Sequence, residues 1–171
     1  MSQKGTLYFF TGLSGAGKTT IGGLFYRRMK ARKNDVVLFD GDLIRGIFGG
    51  GGYSTEARLD TARRYFRMAR TLTDQGIDVV MCCIAMYHEI RAWSRENIAN
   101  YREIYLRVSW ETLYRRDQKQ LYSSNAKQVV GVDLPWDEPT QSDLIIDNNG
   151  EETPEEIVER IERVFFGEGG Q

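Results

Sequence analysis

A five-stranded parallel α/β sheet with helices on both faces is the fold this chain predicts, and three observations predict it. Short apolar runs alternate along the chain with stretches of helical periodicity. A glycine-rich turn joins the first apolar run directly to the first helix. The 171 residues fit one domain, 1–171, with no internal repeat and no shift of composition to mark a second. Strands that alternate with helices close into a parallel sheet through right-handed crossovers.

Taken in order, Leu7–Thr11 is a buried strand, and the glycine-rich turn leads into a helix from Thr20 to about Arg32. Val36–Phe39 is the second strand, followed by a short helix and by Gly49-Gly50-Gly51-Gly52, which reads as a flexible loop. Ala62, Tyr65, Phe66, Ala69 and Leu72 recur at helical spacing, so Thr55–Asp74 is a helix, ended by Gly76. Ile77–Ile84 is the third strand, Tyr87 to about Asn100 a helix, Glu103–Val108 the fourth strand and Trp110–Arg116 a further helix. Residues 117 to about 136 have weak periodicity and are long for a plain connection, the pattern of a lid. Asp143–Ile146 is the fifth strand. The last helix opens with Thr153 as cap, Pro154 at its first position and Glu156 completing a capping box, with Ile157, Ile161 and Val164 expected to face the sheet.

Composition excludes several classes. The 23 basic residues are balanced by 24 acidic ones, so nothing points to a nucleic-acid partner. No apolar run approaches the ~20 residues a membrane span needs, and Met1-Ser2-Gln3-Lys4-Gly5 leads straight into the first strand, so no signal peptide is expected. Cys82 and Cys83 are adjacent on a strand, where side chains point to opposite faces, which suits neither a disulfide nor a zinc site. A cytoplasmic protein fits all of this.

The chemistry begins at Gly12-Leu13-Ser14-Gly15-Ala16-Gly17-Lys18-Thr19, a complete G-x-x-x-x-G-K-[ST] phosphate-binding loop followed by Thr20. Strand, glycine turn and helix together aim backbone N–H groups and the positive end of a helix dipole at one point, which polyphosphate satisfies. Lys18 is expected to reach the β/γ-phosphates and the Thr19 hydroxyl to sit on Mg²⁺. Asp40-Gly41-Asp42 closes the second strand on the same sheet edge, where ligands of open α/β sheets bind. In extended geometry both carboxylates point one way, and between them they could hold a metal-bound water and accept a hydroxyl proton. Arg45 and Arg58 suit an anionic group on a substrate, whereas Arg63, Arg64, Arg67 and Arg70 read as a solvated helix face. Tyr53 is placed either to stack on a base or to be partly buried under the glycine loop. Arg115-Arg116-Asp117 and Lys119 open the lid candidate, where cations can close over phosphates. His88 reads as a surface or supporting residue.

These residues closely resemble the adenylyl-sulfate (APS) kinase family. The phosphate loop through Thr20, Asp40-Gly41-Asp42-x-x-Arg45 and Tyr53-Ser54-x-x-x-Arg58 carry the likeness, continued by Ile84-Ala85-x-Tyr87, Arg116-Asp117-x-Lys119-x-Leu121-Tyr122, Gly131-Val132-Asp133 and Asp147-Asn148. The resemblance covers nearly the whole chain. It implies a P-loop kinase that transfers the γ-phosphoryl group of ATP, with Mg²⁺, to the 3′-hydroxyl of a nucleotide. By that likeness Asp42 is the base; Lys18 is expected beside it in catalysis and Thr19 and Asp40 at the metal, with the order of Asp40 and Asp42 relative to the metal left open. Arg45 and Arg58 hold the acceptor's phosphate, Tyr53 walls its base, Arg116 lies on the ATP side, and Lys119 sits on the lid. A homodimer is implied as well.

Departures from the family pattern gather on the acceptor side. Thr61 stands where the family has Asn, and Ala85-Met86 after Ile84 where it has Ser-Pro. Val129, in Gln128-Val129-Val130-Gly131-Val132-Asp133, occupies the place of a phenylalanine that stacks on adenine. Base–aromatic stacking contributes ~1–3 kcal/mol, so its loss weakens an adenine acceptor. A branch of similar look phosphorylates the ribose of cytidine diphosphoramidate in capsular polysaccharide decoration, and a pyrimidine needs less stacking surface. The acceptor is therefore expected to be adenylyl sulfate or cytidine diphosphoramidate. The alternatives are a gluconate- or shikimate-type kinase on the same fold, against which the Asp-Gly-Asp-x-x-Arg element argues, and a non-catalytic nucleotide-binding module.

Overall fold

The computed structural model describes residues 3–48, 54–85, 87–117, 120–124, 127 and 129–167. Five strands form one parallel sheet, β1 (Leu7–Thr11), β2 (Val36–Asp40), β3 (Asp78–Cys82), β4 (Tyr101–Arg107) and β5 (Leu144–Asp147), in the order β2-β3-β1-β4-β5. Six helices connect and follow them: α1 (Lys18–Arg32), α2 (Gly41–Phe48), α3 (Thr55–Asp74), α4 (His88–Asn97), α5 (Trp110–Arg116) and α6 (Pro154–Phe166). The expected five-stranded parallel α/β architecture is what the chain adopts.

Alternation along the strands splits the core into two layers. Tyr8, Phe10, Val80, Cys82, Ile104 and Leu106 face α1 and α6, where they meet Ile21, Phe25, Met29, Ile157, Val158 and Ile161. Leu7, Phe9, Val79, Met81 and Tyr101 face α2, α3 and α4, where they meet Ile44, Tyr65, Phe66, Ala69 and Ile90. Period-two patterning in strands against a helical stripe on either side is what fixes the register. β1 and β3 are buried at all five positions, as central parallel strands require.

β1 lies mid-sheet, and its crossover runs one way to β2 while β4 leads the other way to β5. The two adjacent strands therefore flank a switch point, and the turns after them open a crevice at the carboxyl edge.

Several boundaries move. β2 takes in Asp40, and helix α2 begins at once with Gly41, so Asp40 and Asp42 do not share an extended strand. The Asp42 amide donates to Asp40 Oδ1 at 3.0 Å, an Asx-type turn that lets the strand stop and the helix start without a linker. Val164 is 53% exposed rather than facing the sheet, because Val158 takes the buried position beside Ile157 and Ile161. α4 stops at Asn97, since Ile98 is extended and enters the core. β3 stops at Cys82, two residues short of the expected end.

Candidate active site

Side chains hold the glycine-rich loop by its carbonyls. Lys18 Nζ donates to the carbonyls of Gly12 and Leu13, both at 2.8 Å. Tyr122 Oη donates to Ser14 O at 2.8 Å, Arg116 Nη1 to Gly15 O at 3.3 Å, and Asn148 Nδ2 to Ala16 O at 2.9 Å. Five successive carbonyls from Gly12 to Ala16 are thus taken by side chains from α1, α5, the segment after α5 and the turn after β5. Fixing carbonyls outward is what lets a loop offer its amides to an anion. Gly17 sits at φ +97°, and a Cβ there would lie 2.7 Å from Asn148 Nδ2, so both conformation and space require glycine.

Burial pushes the Tyr122 phenol up to about 12, with help from the carboxylate of Asp117 and from Tyr114, so its hydroxyl remains a donor at neutral pH. Burial and the adjacent Arg115 pull the Arg116 guanidinium down from its usual value.

Asp40 stands between the loop and the next helix. Its Oδ2 accepts the Thr19 hydroxyl at 2.7 Å and its Oδ1 accepts the Asp42 amide at 3.0 Å. One carboxylate therefore ties the start of α1 to the start of α2 and brings Asp42 to the same sheet edge. The Asp42 carboxyl is 62% exposed, so it faces solvent and not the core. Arg45 follows one turn later, its Nη1 4.0 Å from Asp42 Oδ1.

Around this centre the remaining candidates take up distinct places. Arg58 is half-buried in the first turn of α3, whose cap is Ser54, accepting from the Ala57 amide. Thr61 donates its hydroxyl to Ala57 O at 2.8 Å, one turn back in its own helix. Ile84 O accepts the Thr11 hydroxyl at 2.6 Å, linking the turn after β3 to the residue that precedes the loop. Ala85 follows at φ +42°, a left-handed conformation uncommon outside glycine. Leu13, Ser14 and Ala16 belong to the loop itself, while Thr20 is exposed on α1. Tyr53 and Lys119 lie outside the described residues, as do Gly49–Gly52.

Residues 129–134 form a tight turn packed on the phosphate loop. Val129 O accepts the amides of Val132, Asp133 and Leu134, and its own amide donates to Asp133 Oδ2 at 3.1 Å. Val129 is 6% exposed. Val130 packs with Leu13 and Leu113, and a Cβ on Gly131 would lie 2.9 Å from Leu13 Cδ2. Asp117 anchors the other end of the segment, accepting the amides of Tyr122 and Ser123, and hydrogen bonding from the Ser123 side chain, then from the Tyr122 amide, holds its carboxyl below the usual range.

Sequence reasoning gave no role to Tyr122, Asn148 or Arg91. The signal for Asn148 was available: a polar residue just past a strand at the ligand edge. Tyr122 acts through a fold-back of its segment that no local pattern announces. Arg91 falls on the buried stripe of α4 with Ile90 and Ser94, where a charged residue needs partners.

Among the described residues no group of three or more His, Cys, Asp or Glu could hold a metal. The Thr19–Asp40 oxygen pair instead suits a hard cation that brings most of its ligands as water and phosphate oxygen, as Mg²⁺ does. No helix among the described residues is long and apolar enough to cross a membrane.

Comparison with known proteins identifies relatives in sequence and in fold. The family model for adenylylsulphate kinase matches residues 4–147. Cytidine diphosphoramidate kinase of Campylobacter jejuni is 38% identical over 165 residues, covering 94% of this chain and 96% of its own. An adenylyl-sulfate kinase of Picosynechococcus is 36% identical over 166 residues, covering 94% and 93%. The solved structure of the Mycobacterium tuberculosis APS kinase CysC, in complex with AMPPNP and APS, superposes with a TM-score of 0.84 at 27% identity, covering 95% of this chain and 98% of that one.

Proposed function

We propose that this chain, which belongs to the adenylylsulphate kinase family, transfers the γ-phosphoryl group of ATP to the 3′-hydroxyl of a nucleotide acceptor, and that the acceptor is cytidine diphosphoramidate. Its standing as a phosphotransferase follows from the family; the transfer site and the acceptor are our reading. The observation that carries the site is the shared Asp40 carboxylate, which joins the Thr19 hydroxyl to the amide of Asp42.

In this reading the loop amides and Lys18 receive the β- and γ-phosphates, with Lys18 exchanging its present carbonyl partners for phosphate oxygens. Thr19 and Asp40 would hold Mg²⁺, which neutralises charge across the β- and γ-oxygens when bound. Asp42 accepts the proton of the acceptor's hydroxyl as its oxygen bonds to the γ-phosphorus, the bond to the β–γ bridging oxygen breaks, and ADP leaves. Arg45 and Arg58 hold the acceptor's own phosphate, and Thr61, Ile84, Ala85, Tyr53, Lys119 and Val129 line or close over the remainder. Residues 117–136 serve as the lid of the single domain. We place the enzyme in the cytoplasm as a homodimer.

The cytidine acceptor is favoured by Val129, which is buried and offers no ring to an adenine. Adenylyl sulfate is the second reading, supported by the family model and by the Picosynechococcus relative. Measuring kcat/KM with each acceptor under saturating ATP separates them. Preference for the cytidine compound supports the first reading, preference for adenylyl sulfate the second, and turnover only with a sugar acid or shikimate contradicts both.

A further inference from the structure

We propose that Arg91 is a positioning residue that couples the acceptor-side turn after β3 to the segment packed on the phosphate loop. This rests on the reading above for its kinetic consequence, though not for its mechanics.

Arg91 lies in α4 and is only 5% exposed. Its two terminal nitrogens go to two different segments. Nη1 donates to Ala85 O at 3.0 Å, and Nη2 donates to the carbonyl of Asp137. Asp137 answers with its side chain, whose Oδ2 accepts the His88 amide at 2.8 Å at the start of the same helix. A closed ring results: guanidinium to Asp137 backbone, Asp137 carboxylate to the α4 N-terminus, and one turn of helix back to the guanidinium. Ala85 hangs from this ring in its left-handed conformation, and Ile84 beside it is held by Thr11 at the mouth of the phosphate loop.

A planar fork is needed for this geometry, because the two acceptors belong to separate segments and must be met at once. A buried guanidinium without acceptors would be costly, so each carbonyl also holds the cation in place. Burial pulls Arg91 below the usual arginine value, and Glu103, Tyr101, Asp137 and Tyr105 around it oppose that pull. Glu103 on β4 is 2% exposed and engaged by Tyr101, Ser142 and the Arg95 guanidinium, while Arg91's two terminal nitrogens go to the carbonyls.

The consequence is that Ala85, in the stretch after β3, and Asp137, just beyond the 129–134 turn, cannot move independently. If acceptor binding presses on Ala85, the strain passes through Arg91 to Asp137, which the chain joins through two residues to the turn at 129–134. Arg91 touches no reacting atom in this scheme; it sets where the acceptor's wall stands relative to the cover.

The test uses the full chain with Arg91→Lys, which keeps the charge and loses the fork, and Asp137→Ala, which loses only the carboxylate arm of the ring. Hydrogen–deuterium exchange and steady-state kinetics are measured on both. The expected results are faster exchange in 129–137 as well as in 84–88, a KM for the nucleotide acceptor raised about tenfold in Arg91→Lys and less in Asp137→Ala, and ATP affinity within twofold of the parent. Exchange changes confined to α4, or equal losses for ATP and acceptor, would overturn the coupling. If the parent enzyme turns over no nucleotide acceptor, the functional reading fails, and the exchange pattern alone still decides whether Arg91 links the two segments.

Discussion

The phosphate loop and the region proposed to receive the acceptor are built by different means. The phosphate loop is fixed by five carbonyl contacts within one short stretch, and three of its glycines, Gly12, Gly15 and Gly17, have positive φ. In the proposed reading the acceptor side is assembled from α2, the first turns of α3, the turn after β3 and residues 129–134, pieces far apart in sequence. Its polar groups are mostly exposed, as at Asp42 and Arg45, or tied back into their own helix, as at Thr61. A polyphosphate of constant shape can be met by a local, rigid device. An acceptor that differs between relatives is met by parts that can be exchanged one at a time.

If that contrast is right, damage to the loop should stop turnover with any acceptor. Lys18→Ala should lower kcat by about 10³-fold or more, by removing the charge at the β- and γ-oxygens, as read from radiolabelled ATP consumption with either nucleotide. Asn148→Ala tests the outer support of the loop. It leaves the buried carbonyl of Ala16 without its partner, a cost of ~1–3 kcal/mol, so the Kd for ATP by calorimetry should rise about tenfold with the acceptor KM unchanged. On the other side, Val129→Phe should alter choice and not capacity. A ring too large for the buried valine site favours an outward position, and stacking there should shift the kcat/KM ratio toward adenylyl sulfate by about tenfold. An unchanged ratio would remove position 129 from specificity.

Legibility in the sequence follows the same division. The phosphate loop was readable because its three glycines, Lys18 and Thr19 form one contiguous motif directly after a short apolar strand. The sheet was readable from short apolar runs that alternate with helical periodicity, whereas the layer each strand residue faces emerges only in the fold. Asp40 and Asp42 were found, but not their relation, because a carboxylate that accepts an amide two residues on turns a strand end into a helix start. Val164 was misplaced because the buried stripe of α6 runs through Val158 and Ile161 to Phe165, whose ring meets Tyr8 of β1, and this leaves Val164 on the outer face. Tyr122, Asn148 and Arg91 went unassigned for one reason. Each acts on a backbone carbonyl, and the sequence carries no mark of which carbonyl a distant side chain will meet.

The central claim is that Asp42 and the phosphate loop serve a single transfer. It is tested most directly by following the terminal phosphate of labelled ATP into the nucleotide acceptor with the parent enzyme and with Asp42→Asn. The account predicts label in the nucleotide for the parent, a rate lower by about 10²–10⁴-fold for the variant, and ATP bound equally well by both. Label reaching the nucleotide at equal rates, or released by the parent to water alone, would contradict it.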